Sequence, residues 1–211
     1  MEGNSTLTAT FEIPENLIAA HHCAQLPIGF TRNGMPYKAL CTGEVLEKPT
    51  LYTAQLPQVL DWLHSQERPS ALEASPCEVP VLLYEKELSF SHILFHYDGT
   101  KASVRLIENF LQLFGPHLTE SKATIISPRF TPKSKQREEQ RIIEQVGQVT
   151  AETSFIKFNF TRIGDFWSYA VQQDCSLLVT TKAYQADLAK VLFHFYKGSK
   201  WSDRLSFYLA L

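Results

Sequence analysis

SHILFHYDGTKASVRLIENFL, residues 91–111, carries the reading of the fold. Ser91–Tyr97 is apolar with β-branched and aromatic character, which predicts a strand. Asp98-Gly99-Thr100 is a turn sequence. After it, Val104, Ile107, Leu111 and Phe114 recur at helical spacing, and Leu106 and Phe110 widen that face. A strand that turns into a helix in this way is where α/β chains hold a phosphate or a ribose.

Strands and helices alternate onward from this stretch. Residues 122–128 (KATIISP) read as a strand closed by Pro128. Residues 134–148 read as a polar outer helix with an apolar stripe of Ile142, Ile143 and Val146; its mixed-charge start, KSKQREEQR, is a solvated face. In 153–160, Ile156, Phe158 and Phe160 share one face of a strand and Phe155 breaks the phase. A helix at 162–173, a buried strand at 175–181 and a helix at 184–196 follow; the last points Leu188, Val191, Leu192 and Phe195 inward. A final strand spans 204–211. Five strands separated by helices, with no hairpin turn between them, predict right-handed crossovers and a Rossmann-like, doubly wound parallel sheet.

The first part is less regular and reads as a small α+β module over 1–87, ahead of an α/β domain over 88–211. Leu7, Ala9, Phe11 and Ile13 alternate with polar residues, as in a half-buried strand. Residues 15–26 suit a short helix, and Asn33-Gly34 signals a hairpin. Residues 56–66 read as a helix with Pro57 in its first turn, 68–76 as a linker and 78–86 as a strand.

Composition narrows the function classes. The 211 residues are 44% hydrophobic and 20% charged, with a formal charge of −2. Bulk electrostatics therefore favours neither nucleic acid nor an anionic membrane. Residues 1–10 lack the pattern of a secretory signal, and no apolar run has the length of a span. Cys23, Cys41, Cys77 and Cys175 lie far apart, without metal-site spacing; the expectation is reduced thiols and a cytoplasmic protein. His21-His22-Cys23 points adjacent side chains in different directions, which suits one metal site poorly. No nucleophile elbow, Walker A sequence or dinucleotide glycine fingerprint is present, so no catalytic residue is assigned.

The second part resembles the universal stress protein family over about residues 90–211. HILFHYDGTKAS resembles the family's first strand, turn and helix start, DCSLLVTTKAY its fourth strand and the turn after it, and LSFYLAL its closing strand. The stretch VPVLLYEKELSFSHILFHYDGT resembles the joint of tandem members, which implies that 1–87 is a shortened or replaced first unit. The resemblance implies an adenine nucleotide alpha hydrolase-like fold and a role in stress response.

It also implies a crevice at the switch point between the first and fourth strands, with Asp98, Gly99 and Thr100 near a ribose or adenine. Asp98 equally suits a helix cap. Ile126, Ser127, Lys182, Gly198 and Ser199 complete the tentative nucleotide crevice, which would take ATP or AMP. His96 lines the same crevice or serves as a structural histidine. ATP-binding members carry two glycines after the fourth strand, so that backbone can approach the phosphates. Here Lys182 and Gln185 stand in those places, and Gly198-Ser199 comes late.

The expectation is a non-enzymatic protein with a degenerate nucleotide site that acts by protein association. Two alternatives stay open: a nucleotide-binding switch or slow ATPase at Asp98, and a binder of another small ligand. Restored glycines at 182 and 185 would raise ATP affinity if the rest of the cradle is intact. The apolar closing strand, 204–211, is either a homodimer edge or covered within the chain by 6–13 or by 79–84.

Overall fold

The computed structural model describes residues 10–22, 49–85, 88–196 and 205–211. The Asn33-Gly34 hairpin, Gly198-Ser199, Cys23, Cys41 and the strand residues before Thr10 lie outside them. The first part holds β1 (Thr10–Phe11), β2 (Ile18–His21), β3 (Leu51–Gln55), α1 (Leu56–Ser65), β4 (Glu73–Ser75) and β5 (Val81–Tyr84). The second opens with β6 (His92–His96), α2 (Lys101–Phe114), β7 (Lys122–Ser127), α3 (Lys133–Val149) and β8 (Glu152–Lys157). It closes with α4 (Ile163–Gln172), β9 (Leu177–Thr181), α5 (Gln185–Phe195) and β10 (Ser206–Ala210).

Eight strands form one sheet in the order β2-β3-β5-β10-β9-β6-β7-β8. The five strands from β6 to β10 are mutually parallel, as their helical connections require. The chain winds outward from β6 to β7 and β8, then crosses back to β9 and β10 on the other side. The strand order therefore reverses between β6 and β9. This is the doubly wound α/β architecture that the alternation of elements predicts.

The period-two alternation of the strands divides the core between two faces. Leu94, Ile126, Leu178, Phe207, Leu209 and Leu83 point to α1, α4 and α5. Ile93, Phe95, Ile125, Val179, Tyr208 and Leu82 point to α2 and α3. On the second face Phe110 of α2 meets Phe95 and Tyr208 edge-on, with ring centroids 5.3 and 5.1 Å away.

The first part extends this same sheet. β5 pairs antiparallel with β10, placing Leu82 opposite Tyr208, and β3 runs parallel to β5. The link β3–α1–β5 thus sits across β10 in the opposite direction to β9–α5–β10. α1 and α5 lie on one face and touch: His64 Nε2 is 3.2 Å from the Phe193 carbonyl oxygen. Both edges of β10 are hydrogen-bonded within the chain, to β9 and to β5. A homodimer built on the closing strand has no free edge along Ser206–Ala210; of the two intrachain covers considered for it, 79–84 is the one used, through Val81–Tyr84.

Four local expectations need correction. Of the helix expected over 15–26, the described residues 15–22 form none: 15–17 make one 3₁₀ turn, and Ile18–His21 pair antiparallel with β3. The gain there is strand pairing with 51–55, which outweighs a helix with only a narrow apolar face. Residues 68–76 are no plain linker, since β4 pairs with β1 and both Leu72 and Glu73 are buried. Phe158 and Phe160 follow β8 and stack on each other at 5.0 Å, rather than alternating within it. Phe195, expected inward, is 55% exposed and lies against Trp167.

Candidate functional site

The carboxyl ends of β6 and β9 converge where the strand order reverses, and His96 stands at that point. It is 2% exposed, and its Nδ1 lies 3.0 Å from the Thr180 hydroxyl on β9. Its ring packs against Phe166 at 4.0 Å and Tyr184 at 5.0 Å between centroids. Burial pushes its pKa down to about 4, against an opposing pull from the Asp98 carboxylate. At neutral pH it is an uncharged, hydrogen-bonded ring that bridges the two strands.

The turn after β6 is built by Asp98 on its own chain. Its Oδ1 accepts from the Thr100 backbone N–H at 2.8 Å and the Thr100 hydroxyl at 2.6 Å. Burial alone would raise the Asp98 pKa; hydrogen bonds from Thr100 and Ser103, and then the charge of the nearby His96, hold it below the usual carboxylate value. Thr100 is the helix cap, its hydroxyl accepting from the Ser103 N–H at 3.2 Å. Asp98 thus braces the cap and is not the cap itself. Gly99 sits at φ +74°, and its carbonyl accepts from the Lys135 ammonium.

A Cβ at Gly99 would meet only Lys135 Cδ, at an ordinary 3.9 Å, so the cost of a side chain here is conformational. Gly99→Ala is expected to destabilise the fold by about 1 kcal/mol. Urea unfolding of the two proteins checks this; an unchanged midpoint would contradict it.

Ile126 and Ser127, at the end of β7, are also engaged. The Ile126 carbonyl accepts from the Tyr97 N–H at 3.0 Å. The Ser127 hydroxyl donates to Glu139, which also accepts from Thr131 at 2.8 Å and from Lys157 at 2.7 Å. Burial would raise the Glu139 pKa, but the bonds from Lys157, Ser127 and Thr131 lower it. Glu139 is a buried acid in a helix that reads as polar and solvated; only the fold discloses why it is there.

After β9 the chain departs most from a phosphate site. Lys182 is 1% exposed and turned into the first part of the chain. Its ammonium donates to Glu73 Oε1 at 2.8 Å, the Cys77 carbonyl at 2.9 Å and the Val79 carbonyl at 2.7 Å. These acceptors use the ammonium's three protons. Gln185, the other residue in a glycine's place, accepts from the Glu73 N–H at 2.9 Å and donates to its carbonyl at 3.3 Å. The Cys77 thiol lies 3.4 Å from Glu73 Oε1, and burial raises its pKa. Tyr184, between the two grips, covers His96, with its hydroxyl pKa raised by burial and then by Asp98.

The structure therefore brings Asp98, Gly99 and Thr100 to the switch point, with Ile126 and Ser127 beside them. It turns Lys182 away from that crevice, which corrects the assignment of Lys182 to it. The sequence reading missed Glu73 and Cys77 altogether. Close approach of backbone to phosphate has no place where side chains at 182 and 185 are packed on Glu73, so these residues do not fit a triphosphate cradle. His21 Nε2 is 2.9 Å from the Thr53 hydroxyl, and the described residues contain no acid, histidine and cysteine cluster suited to a metal ion. No described helix is long and apolar enough to cross a membrane.

Neither a family model nor a curated protein sequence matches the chain. Among solved structures it is similar to protein Rv1636 from Mycobacterium tuberculosis H37Rv, at 15% identity and a TM-score of 0.33, over 43% of this chain and 69% of that one. It is also similar to a protein from the universal stress protein family from Burkholderia pseudomallei, at 11% identity and a TM-score of 0.33, over 52% of this chain and 91% of that one.

Proposed function

We propose that this protein is a universal stress protein-like binding protein of the cytoplasm that works by protein association, its nucleotide site given over to intrachain packing. One observation carries the reading: Lys182 and Gln185, in the places where the resembled family has phosphate-facing glycines, both hold Glu73 of the first part. The ring of Tyr184 over His96 supports it from the other side of the turn. Residues 1–87 then make sense as a shortened first unit. β3–α1–β5 corresponds to a last helix between two last strands, and its β5 takes the partner position on β10.

The test is calorimetric titration of the folded protein with ATP, with and without magnesium, and with AMP. No heat is expected from any of them. Micromolar ATP binding would overturn the proposal in favour of a nucleotide switch at Asp98. Binding of AMP and ATP alike would point to adenosine recognition without a phosphate cradle.

A further inference from the structure

Two loops leave the carboxyl ends of β7 and β8 side by side, on the end of the sheet where α/β proteins bind ligands. They are tied together: the Phe158 N–H donates to the Ser127 carbonyl at 2.9 Å, the Arg129 N–H to Asn159 Oδ1 at 3.2 Å, and the Lys157 ammonium to the Thr131 hydroxyl at 2.8 Å. These bonds set the loop that carries Phe130 beside the loop that carries Phe158 and Phe160. Phe130 is 81% exposed and Phe158 39%. Phe160 stacks on Phe158 and backs onto Phe166. Scattered exposed apolar residues are ordinary, but aromatic rings gathered on bound loops make a contact surface.

Three cations flank these rings. Arg129 precedes Phe130, Lys133 opens α3 after it, and Arg162 follows Phe160 by two residues; all three are exposed. Among the described residues none of these cations forms an ion pair. The acid nearest Arg162 in sequence, Asp165, accepts from the Thr161 and Arg162 backbone N–H groups at 3.4 and 3.3 Å. The neighbouring Glu139 is committed to Lys157.

We propose that this crest, formed by Phe130, Phe158, Phe160, Arg129, Lys133 and Arg162, docks an acidic peptide segment of a partner protein that carries aliphatic side chains. Carboxylates of the peptide meet the three cations, and its aliphatic groups cover the ring edges. A single-stranded nucleic acid fits less well. Phe158 and Phe160 already stack on each other with an interplanar angle of 14°, which leaves no gap between them for a base to enter. The proposal rests on the reading of the protein as one that works by association, and names the surface for it.

The experiment uses the full chain and a fluorescein-labelled synthetic peptide in which glutamate alternates with leucine, read by fluorescence anisotropy. Micromolar binding that weakens with added salt is expected. Phe130→Ala and, separately, Arg129→Glu with Arg162→Glu should each weaken it about tenfold, with the unfolding midpoint unchanged. No binding, or equal binding of the peptide with lysine in place of glutamate, would overturn the proposal. So would preferential binding of an oligouridylate. Sedimentation showing that a second copy occupies the crest, and that Phe130→Ala abolishes this, would overturn it as well. Failure here, with no heat from ATP, would remove this surface and leave the reading of the nucleotide site standing; heat from ATP would remove that reading.

Discussion

Lys182→Met is expected to cost about 3–5 kcal/mol of folding stability, because it leaves the Glu73 carboxylate buried without its counter-charge. The side chains of Lys182 and Glu73 are 0% and 2% exposed, so water cannot take over either role. Two backbone carbonyls, of Cys77 and Val79, lose their donor in the same step. Adding Glu73→Leu should recover more than half of the loss, since a buried apolar pair avoids the desolvation of two charges. Urea unfolding followed by circular dichroism reads both values. A single-variant loss below about 1 kcal/mol would mean that the grip is a surface-like pair of little weight. The same geometry changes what restored glycines would do. With glycine at 182 and 185 the hold on Glu73 is removed, so the first effect is a less stable protein and not a better ATP site.

Acid is expected to weaken the fold through His96 well before the carboxylates are protonated. Its pKa is lowered from 6.5 to about 4, by burial first. Between those values the unfolded chain binds a proton that the folded chain refuses, so stability falls as pH drops through that window. The full contribution is present above pH 6.5 and amounts to about 3 kcal/mol by the time the pH is below both values. His96→Gln keeps a polar group for the Thr180 hydroxyl but cannot take up the proton. It should therefore lose about 3 kcal/mol less than the unmodified protein between pH 7 and pH 4. His117, whose pKa burial also lowers, contributes equally to both proteins and cancels in the comparison. Asp98 and Glu139, held below their usual values, lose their contribution only at more acid pH. Parallel pH profiles for the two proteins would show that His96 is not the group responsible.

The relation between the glycine positions and Glu73 also recasts the switch point. At this turn the chain keeps the frame of a ligand crevice: strand, Asp98-Gly99-Thr100, helix. The groups that the family resemblance places near a nucleotide are satisfied by the chain itself. Asp98 bonds Thr100, the Ile126 carbonyl bonds Tyr97, and the Ser127 hydroxyl bonds Glu139. Each of these pairings removes a donor or acceptor from the inventory available to a ligand.

The parallel, doubly wound core was legible along the chain because its signals are local. The apolar stripe of α2, the unbroken apolar runs of β6 and β9, and the absence of hairpin turns each depend on neighbours a few residues apart. The turn at Asp98 was legible for the same reason, as was the crowding of a phosphate cradle by side chains at 182 and 185. What those side chains do instead was not legible. Glu73 and Lys182 are 109 residues apart, and no spacing rule links a buried acid in an apparent linker to a lysine after a strand. The strand at 18–21 was hidden similarly: it exists because 51–55 offers it an edge, a gain that local propensity does not register. The antiparallel pairing of β5 with β10 was one of two intrachain covers that the sequence left open. Periodicity states which face of an element is apolar, but not which distant element will cover it. That choice is made by burial and pairing summed over the whole sheet, and so it belongs to the folded chain.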